Sequence, residues 1–209
     1  MQMNKWMQKA FLVVGVTALA SAAANAQTDV AVSLYGAFTG TTTGNGTVQS
    51  PSNAAGGLIE VRHIKHPWLG YEGTYSFNRA NQTYSLNTIP TACPVGGCGI
   101  TAASVSANAH QVTGDWVASL KVANFRPFAL AGGGLLFDAP TSGQTGTSST
   151  TKPVFVYGGG LDWGLLPHLG LRFQYRGNLY KAPDLTTLFT SASKFTHTSE
   201  PILGAYFRF

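Results

Sequence analysis

Charge is the scarcest thing in this chain. Asp, Glu, Lys and Arg make up only 10% of its 209 residues, where the average globular protein carries about a quarter. That excludes an ordinary water-facing surface over much of the chain. Either the surface is hidden in lipid, or this is a sparse, Gly/Thr-rich secreted β-protein. Helical periodicity is missing too, since no stretch beyond the N-terminal leader repeats its apolar residues every three to four positions. Long apolar runs are likewise absent there, because Gly, Thr or a charge interrupts each one, so no segment can cross a bilayer as a helix. Clustered basic residues are lacking as well. The formal charge is +5, but Lys5 and Lys9 fall in the leader, which leaves eleven basic residues against eight acidic ones. Nucleic acid is therefore not an expected partner.

Cysteine occurs only twice, as Cys93 and Cys98 in Ala-Cys-Pro-Val-Gly-Gly-Cys-Gly. Residues 1–26 carry Lys5 and Lys9, an apolar run from Ala10 to Ala20 and an Ala24-Asn25-Ala26 cleavage signature. Those are the three parts of a secretory signal peptide, and the run is too short to span a membrane. Behind such a leader, two cysteines in a Pro/Gly loop read as a local disulfide. Zinc would need two further donors that the neighbourhood does not supply. A thioredoxin-like pair would need a two-residue spacer at a helix start. No metal or cofactor is expected.

What is present is alternation. Eight runs of period-2 apolar residues cover about Val30–Phe38, Gly57–Ile64, Leu69–Asn78, Val105–Ala118, Phe125–Phe137, Pro153–Trp163, Leu169–Lys181 and Phe195–Phe209. Three connections are short, around Lys65–Trp68, Lys121–Asn124 and Gly164–His168; the other four are long and rich in Thr, Ser, Gly, Asn or Pro. Short turns alternating with long loops are the pattern of a transmembrane barrel. The expected fold is all-β, an eight-stranded antiparallel up-and-down transmembrane β-barrel formed by residues 27–209, with both termini on the short-turn, periplasmic side.

Parity separates the faces. Leu171, Phe173, Tyr175 and Leu179 alternate with Arg172, Gln174, Arg176 and Asn178; Ile59 and Val61 alternate with Glu60 and Arg62. A charge pointing into hydrocarbon costs a few kcal/mol at mid-membrane, so the charged phase must face inward. The expected interior set is Glu60, Arg62, Glu72, Asp115, Asp162, Arg172, Arg176, Glu200 and Arg208, with Arg126 near a turn. Eight strands leave room only for side chains, and buried charges persist when paired. A lumen plugged by ion pairs is therefore expected, with Arg rather than Lys because its planar fork reaches two carboxylates.

Trp68, Trp116, Trp163, Tyr71, Tyr180 and Phe209 suit the aromatic belts at the two membrane interfaces. Gly132-Gly133-Gly134 and Gly158-Gly159-Gly160 read as strand curvature, because the helix and Lys-Ser/Thr of a phosphate loop are missing. His63, His66, His110 and His168 are scattered and form no ligand pair with an acid on one face.

These features together, with Phe128-Ala129-Leu130-Ala131-Gly132-Gly133-Gly134 and the final Leu203-Gly204-Ala205-Tyr206-Phe207-Arg208-Phe209, resemble the small outer-membrane β-barrel superfamily, of the kind of the OmpA-type transmembrane domain and OmpX. The terminal strand, with Leu203, Ala205, Phe207 and Phe209 on one phase, is similar to the signal that the barrel assembly machinery reads. The resemblance implies an outer-membrane location in a Gram-negative-type envelope, with membrane lipid, lipopolysaccharide and the assembly machinery as partners. The sequence ends with the barrel, so no peptidoglycan-binding domain is expected.

His197-Thr198-Ser199-Glu200 is similar to the His-x-Ser motif of lipid A deacylase barrels. A triad needs a third group to orient the histidine. Glu200 falls on the opposite face from Ser199, and no acid follows it. No catalytic residue is expected. The functional expectation is envelope structure or surface interaction through the long loops; a narrow solute channel and a deacylase-like enzyme are the alternatives.

Overall fold

A computed structural model describes residues 27–65, 68–87, 101–141 and 146–209. The signal peptide expected over residues 1–26, His66 and the disulfide expected between Cys93 and Cys98 lie outside the described residues. Ten strands are present: β1 Gln27–Thr39, β2 Thr42–Gly44, β3 Thr47–Pro51, β4 Ala54–Ile64, β5 Leu69–Leu86, β6 Ala102–Ser119, β7 Phe125–Pro140, β8 Thr150–Gly164, β9 Leu169–Lys181 and β10 Phe195–Arg208. Eight of them pair with their neighbours around a closed circuit, β4-β1-β10-β9-β8-β7-β6-β5 and back to β4. Every pairing is antiparallel, and the first strand meets the last, with Val30 opposite Phe207 and Leu34 opposite Leu203. The eight-stranded up-and-down barrel expected from alternation is the observed fold.

Two strands were not in that expectation. β2 and β3 form a hairpin inside the first long connection, turning at Asn45-Gly46. Both residues hold positive φ, 50° and 78°, the two-residue turn whose twist matches the flanking strands. β3 then pairs with the upper part of β5, from Thr47 opposite Leu86 to Pro51 opposite Gln82. β3 and β4 therefore flank β5 end to end, with a break at Ser52-Asn53. β5 and β6 run longer than their apolar alternation, staying paired up to Ser85 opposite Ala102. The barrel wall thus rises on one side beyond its apolar band.

The outward face is apolar at almost every alternate position. Val32, Leu34, Ile59, Tyr75, Val112, Leu135, Phe155, Phe173, Leu203 and Phe207 are all exposed. Water would not tolerate a continuous apolar surface of this extent, whereas a bilayer requires it. Trp68, Trp116, Trp163, Tyr71 and Phe209 stand on this face as expected. Tyr180 does not. It shares the phase of Asn178, lies inside the barrel, and hydrogen-bonds Thr198 Oγ1 at 2.9 Å.

The glycine triplets make room. Gly132 and Gly134 on β7 and Gly158 and Gly160 on β8 sit on the inward phase; a Cβ at Gly132 would run into the Gly114 carbonyl and Asp115, and one at Gly160 into the Phe173 carbonyl and the Phe128 ring. Their absent side chains let the wall bend tightly and let Phe128 fold flat across the lumen.

Candidate functional site

The lumen near the short turns is filled by charge. β9 carries Arg172 inward at full burial, where it meets four carboxylates from four other strands. Its Nε donates to Asp162 Oδ1 at 2.7 Å on β8 and its Nη2 to Asp29 Oδ1 at 2.8 Å on β1. Its Nη1 lies 3.7 Å from Glu60 on β4 and 3.8 Å from Glu72 on β5. Arg62 on β4 forms a second hub, with Nε donating to Glu72 Oε2 at 2.7 Å and Nη1 to Asp162 Oδ2 at 3.2 Å. Its guanidinium stacks over the Phe128 ring, 4.0 Å from the centroid. Arg176 forms a third pair further up β9, donating to Asp115 Oδ2 at 3.0 Å and Thr113 Oγ1 at 2.8 Å.

Strand register explains why these residues meet. Arg62 lies opposite Glu72, and Glu72 opposite Asp115, so three adjacent strands place charges in one row. Across the barrel Asp162 lies opposite Arg172. In so narrow a lumen the two rows come within reach of each other, and the forks of Arg62 and Arg172 each reach more than one strand.

Two predicted members stand apart. Glu200 is buried opposite Arg176 in register, yet takes a hydrogen bond from Asn178 and is within ion-pair distance of no cation among the described residues. Arg208 sits at the turn-side mouth over the Tyr206 ring, at 5.0 Å, bonded to none of the described carboxylates. Sequence reasoning missed Asp29 and Asp138, both buried inside. Asp29 shares the phase of Ala31, Ser33 and Tyr35, so parity extended one residue before Val30 would have found it. Asp138 follows from the phase of Leu136 in the same way.

Above the ion pairs lies a small chamber of about 40 Å³ whose wall includes Asp138, Glu200, Asn178, Gln111, Gln82 and Thr198. That volume accommodates only a few waters. Near it the β9–β10 connection, residues 182–194, folds inward, its Pro183 carbonyl sharing Gln49 Nε2 with the Gln82 side chain on the chamber wall. Leu185 is fully buried against Tyr84, Val105 and Ala107. The Tyr84 hydroxyl donates to the Pro183 carbonyl at 2.8 Å and accepts from the Leu185 amide at 3.1 Å. Gln49 Nε2 on the extra hairpin also donates to the Pro183 carbonyl, at 3.0 Å, and Lys152 pairs with Asp184 at 3.1 Å. Burial pushes the Tyr84 phenol well above its ordinary pKa, so it remains a donor. This connection is a stopper seated on the raised β3–β5–β6 wall.

On the outer face, His197 and Ser199 are neighbours on β10. Ser199 Oγ is 3.5 Å from His197 Nδ1, and the other ring nitrogen is 2.9 Å from the Tyr157 hydroxyl. Glu200 points into the lumen at 3% exposure. The histidine is therefore held by a phenol, not by a carboxylate that would stabilise an imidazolium. His63 and His110 sit on the same outer surface, within hydrogen-bond reach of Thr28 and Tyr75. No group of three metal-ligating side chains occurs among the described residues.

Comparison with known proteins follows the fold. The profile for the outer membrane protein beta-barrel domain matches residues 10–199. No curated protein matches by sequence. Among solved structures, OprG of Pseudomonas aeruginosa superimposes with a TM-score of 0.60 at 10% identity, covering 88% of this chain and 95% of its own. Ail of Yersinia pestis, an attachment invasion locus protein solved with the heparin analogue sucrose octasulfate, gives a TM-score of 0.52 at 16% identity, covering 89% of this chain and all of its own. Neisserial surface protein A gives 0.52 at 11% identity, covering 89% and 98%. At these identities the likeness is one of fold.

Proposed function

The chain belongs to the outer membrane β-barrel family, and on that footing we propose that it is a closed barrel serving envelope structure and surface contact, not a pore or an enzyme. Its short turns and termini face the periplasm and its long connections face outward, in contact with lipopolysaccharide. The observation that carries the closed state is Arg172. A guanidinium with no exposure, bonded or within 4 Å of carboxylates on β1, β4, β5 and β8, ties the lumen shut across its whole width.

The stopper adds a second seal in series at the loop end. The chamber beside the ion pairs holds about 40 Å³, room for only a few waters, which supports a lumen closed to solutes. The non-enzymatic reading is supported by the His197–Ser199 pair, which has no carboxylate orienter. With the lumen closed, specific contacts fall to the outward connections, because loops on a rigid scaffold are where binding residues concentrate.

Orientation is tested by surface labelling. A membrane-impermeant maleimide added to intact cells is expected to label Ser191→Cys, on the stopper, and to spare Lys121→Cys, on a short turn. Labelling of Lys121→Cys alone would reverse the proposed topology.

A further inference from the structure

The turn-side mouth of the barrel is a basic recess that the ion-pair layer leaves unneutralised. The β6–β7 turn, the β8–β9 turn and the end of β10 enclose about 360 Å³, with Lys121, Arg126, Arg208, Tyr206, Leu165 and Leu166 on its walls. The carboxylate on that wall, Asp162, is already engaged by Arg62 and Arg172. Arg126 is only 6% exposed. One arm of its guanidinium donates to the Gln27 side-chain oxygen, while Nη1 has no hydrogen-bond partner among the described residues. Arg208 Nε is likewise buried without a partner, and the two guanidiniums act on one another as like charges.

A buried cation without a full set of acceptors is costly, and an anion is the group that removes the cost. Forked guanidinium donors match a phosphate in particular, which can accept from both arginines at once. The remaining wall is apolar. Leu165 and Leu166 are exposed at 47% and 63% beside the basic floor. A basic floor next to an apolar rim suits an amphiphile whose phosphate enters the recess while its tail stays against the leucines.

We propose that this recess binds a phosphate-bearing anion, with Arg126 and Arg208 holding the phosphate and Lys121 attracting it at the rim. Phosphate of this chemistry reaches the mouth either as a phospholipid headgroup from the adjoining leaflet or as a free ion. The lipid route rests on the membrane placement proposed above; the free-ion route does not.

The test uses the full mature barrel purified in neutral detergent, and it has two arms. Native mass spectrometry measures retention of phosphatidylglycerol against phosphatidylcholine, and calorimetry measures binding of inorganic phosphate alone. Wild-type protein is expected to prefer phosphatidylglycerol by about tenfold or more, a difference of the size charge-assisted hydrogen bonds supply. Arg126→Gln should abolish the preference and Lys121→Gln should weaken it several-fold. Lys121 is exposed on a turn, so that variant keeps a folded barrel even if Arg126→Gln does not fold. Lipid binding without phosphate binding assigns the headgroup, phosphate binding without lipid selectivity assigns the free ion, and binding of both assigns the phosphate group itself. Neither binding, or undiminished binding in both variants, overturns the proposal.

Discussion

Arg172→Leu is expected to destabilise the folded barrel by about 3–5 kcal/mol, the cost of removing one partner from a buried charge cluster. The leucine would leave Asp29, Glu60, Glu72 and Asp162 around an apolar side chain, with Arg62 the one cation among the described residues still paired with any of them. The readout is the urea midpoint of the folded form, followed by its fast gel mobility before heating. Arg172→Lys is expected to rescue little. One ammonium cannot reproduce the two-sided fork that spans β1 and β8. A midpoint unchanged in Arg172→Leu would show that the cluster contributes no cohesion.

Leu185→Asp is expected to act locally and strongly. The side chain is fully buried against Tyr84, Val105 and Ala107, so an aspartate there would be an unpaired charge in an apolar socket, costing several kcal/mol. The chain's response is to unseat residues 182–194, because a loop can open without unfolding the barrel. Cleavage of the folded protein within 182–194 by added protease is expected to accelerate at least tenfold, about 1.4 kcal/mol of local opening. The urea midpoint of the barrel should stay near wild type. A globally lowered midpoint with no gain in loop cleavage would mean that the stopper is part of the barrel's core.

Much of this architecture could be read from residue alternation. On β9 Arg172, Gln174 and Arg176 alternate with Phe173 and Tyr175, and a bilayer permits only one choice of which face points in. Lumen-facing charges on β4, β5, β6 and β8 follow in the same way. The misses have physical reasons. An aromatic ring at Tyr180 suits either face, and only its phase, shared with Asn178, puts it inside. The β2–β3 hairpin carries the Asn45-Gly46 signal, but its strands are too short and polar to alternate visibly. Arg208 and Glu200 share the inward face of β10, yet phase does not specify distance, and neither reaches an opposite charge within 4 Å among the described residues. The stopper could not be read at all, since Leu185 is buried by contacts with Tyr84 and Val105, which lie 101 and 80 positions away in sequence. No local pattern reports a contact across such a distance.

The central claim is that the lumen is closed, and single-channel recording in a planar bilayer tests it most directly. Purified wild-type protein inserted at high salt is expected to give no steady open level. Leu185→Asp is expected to stay silent as well, because the Arg172 cluster still spans the lumen beneath the displaced stopper. A steady, reproducible open conductance in the wild-type protein would contradict the closed-barrel account.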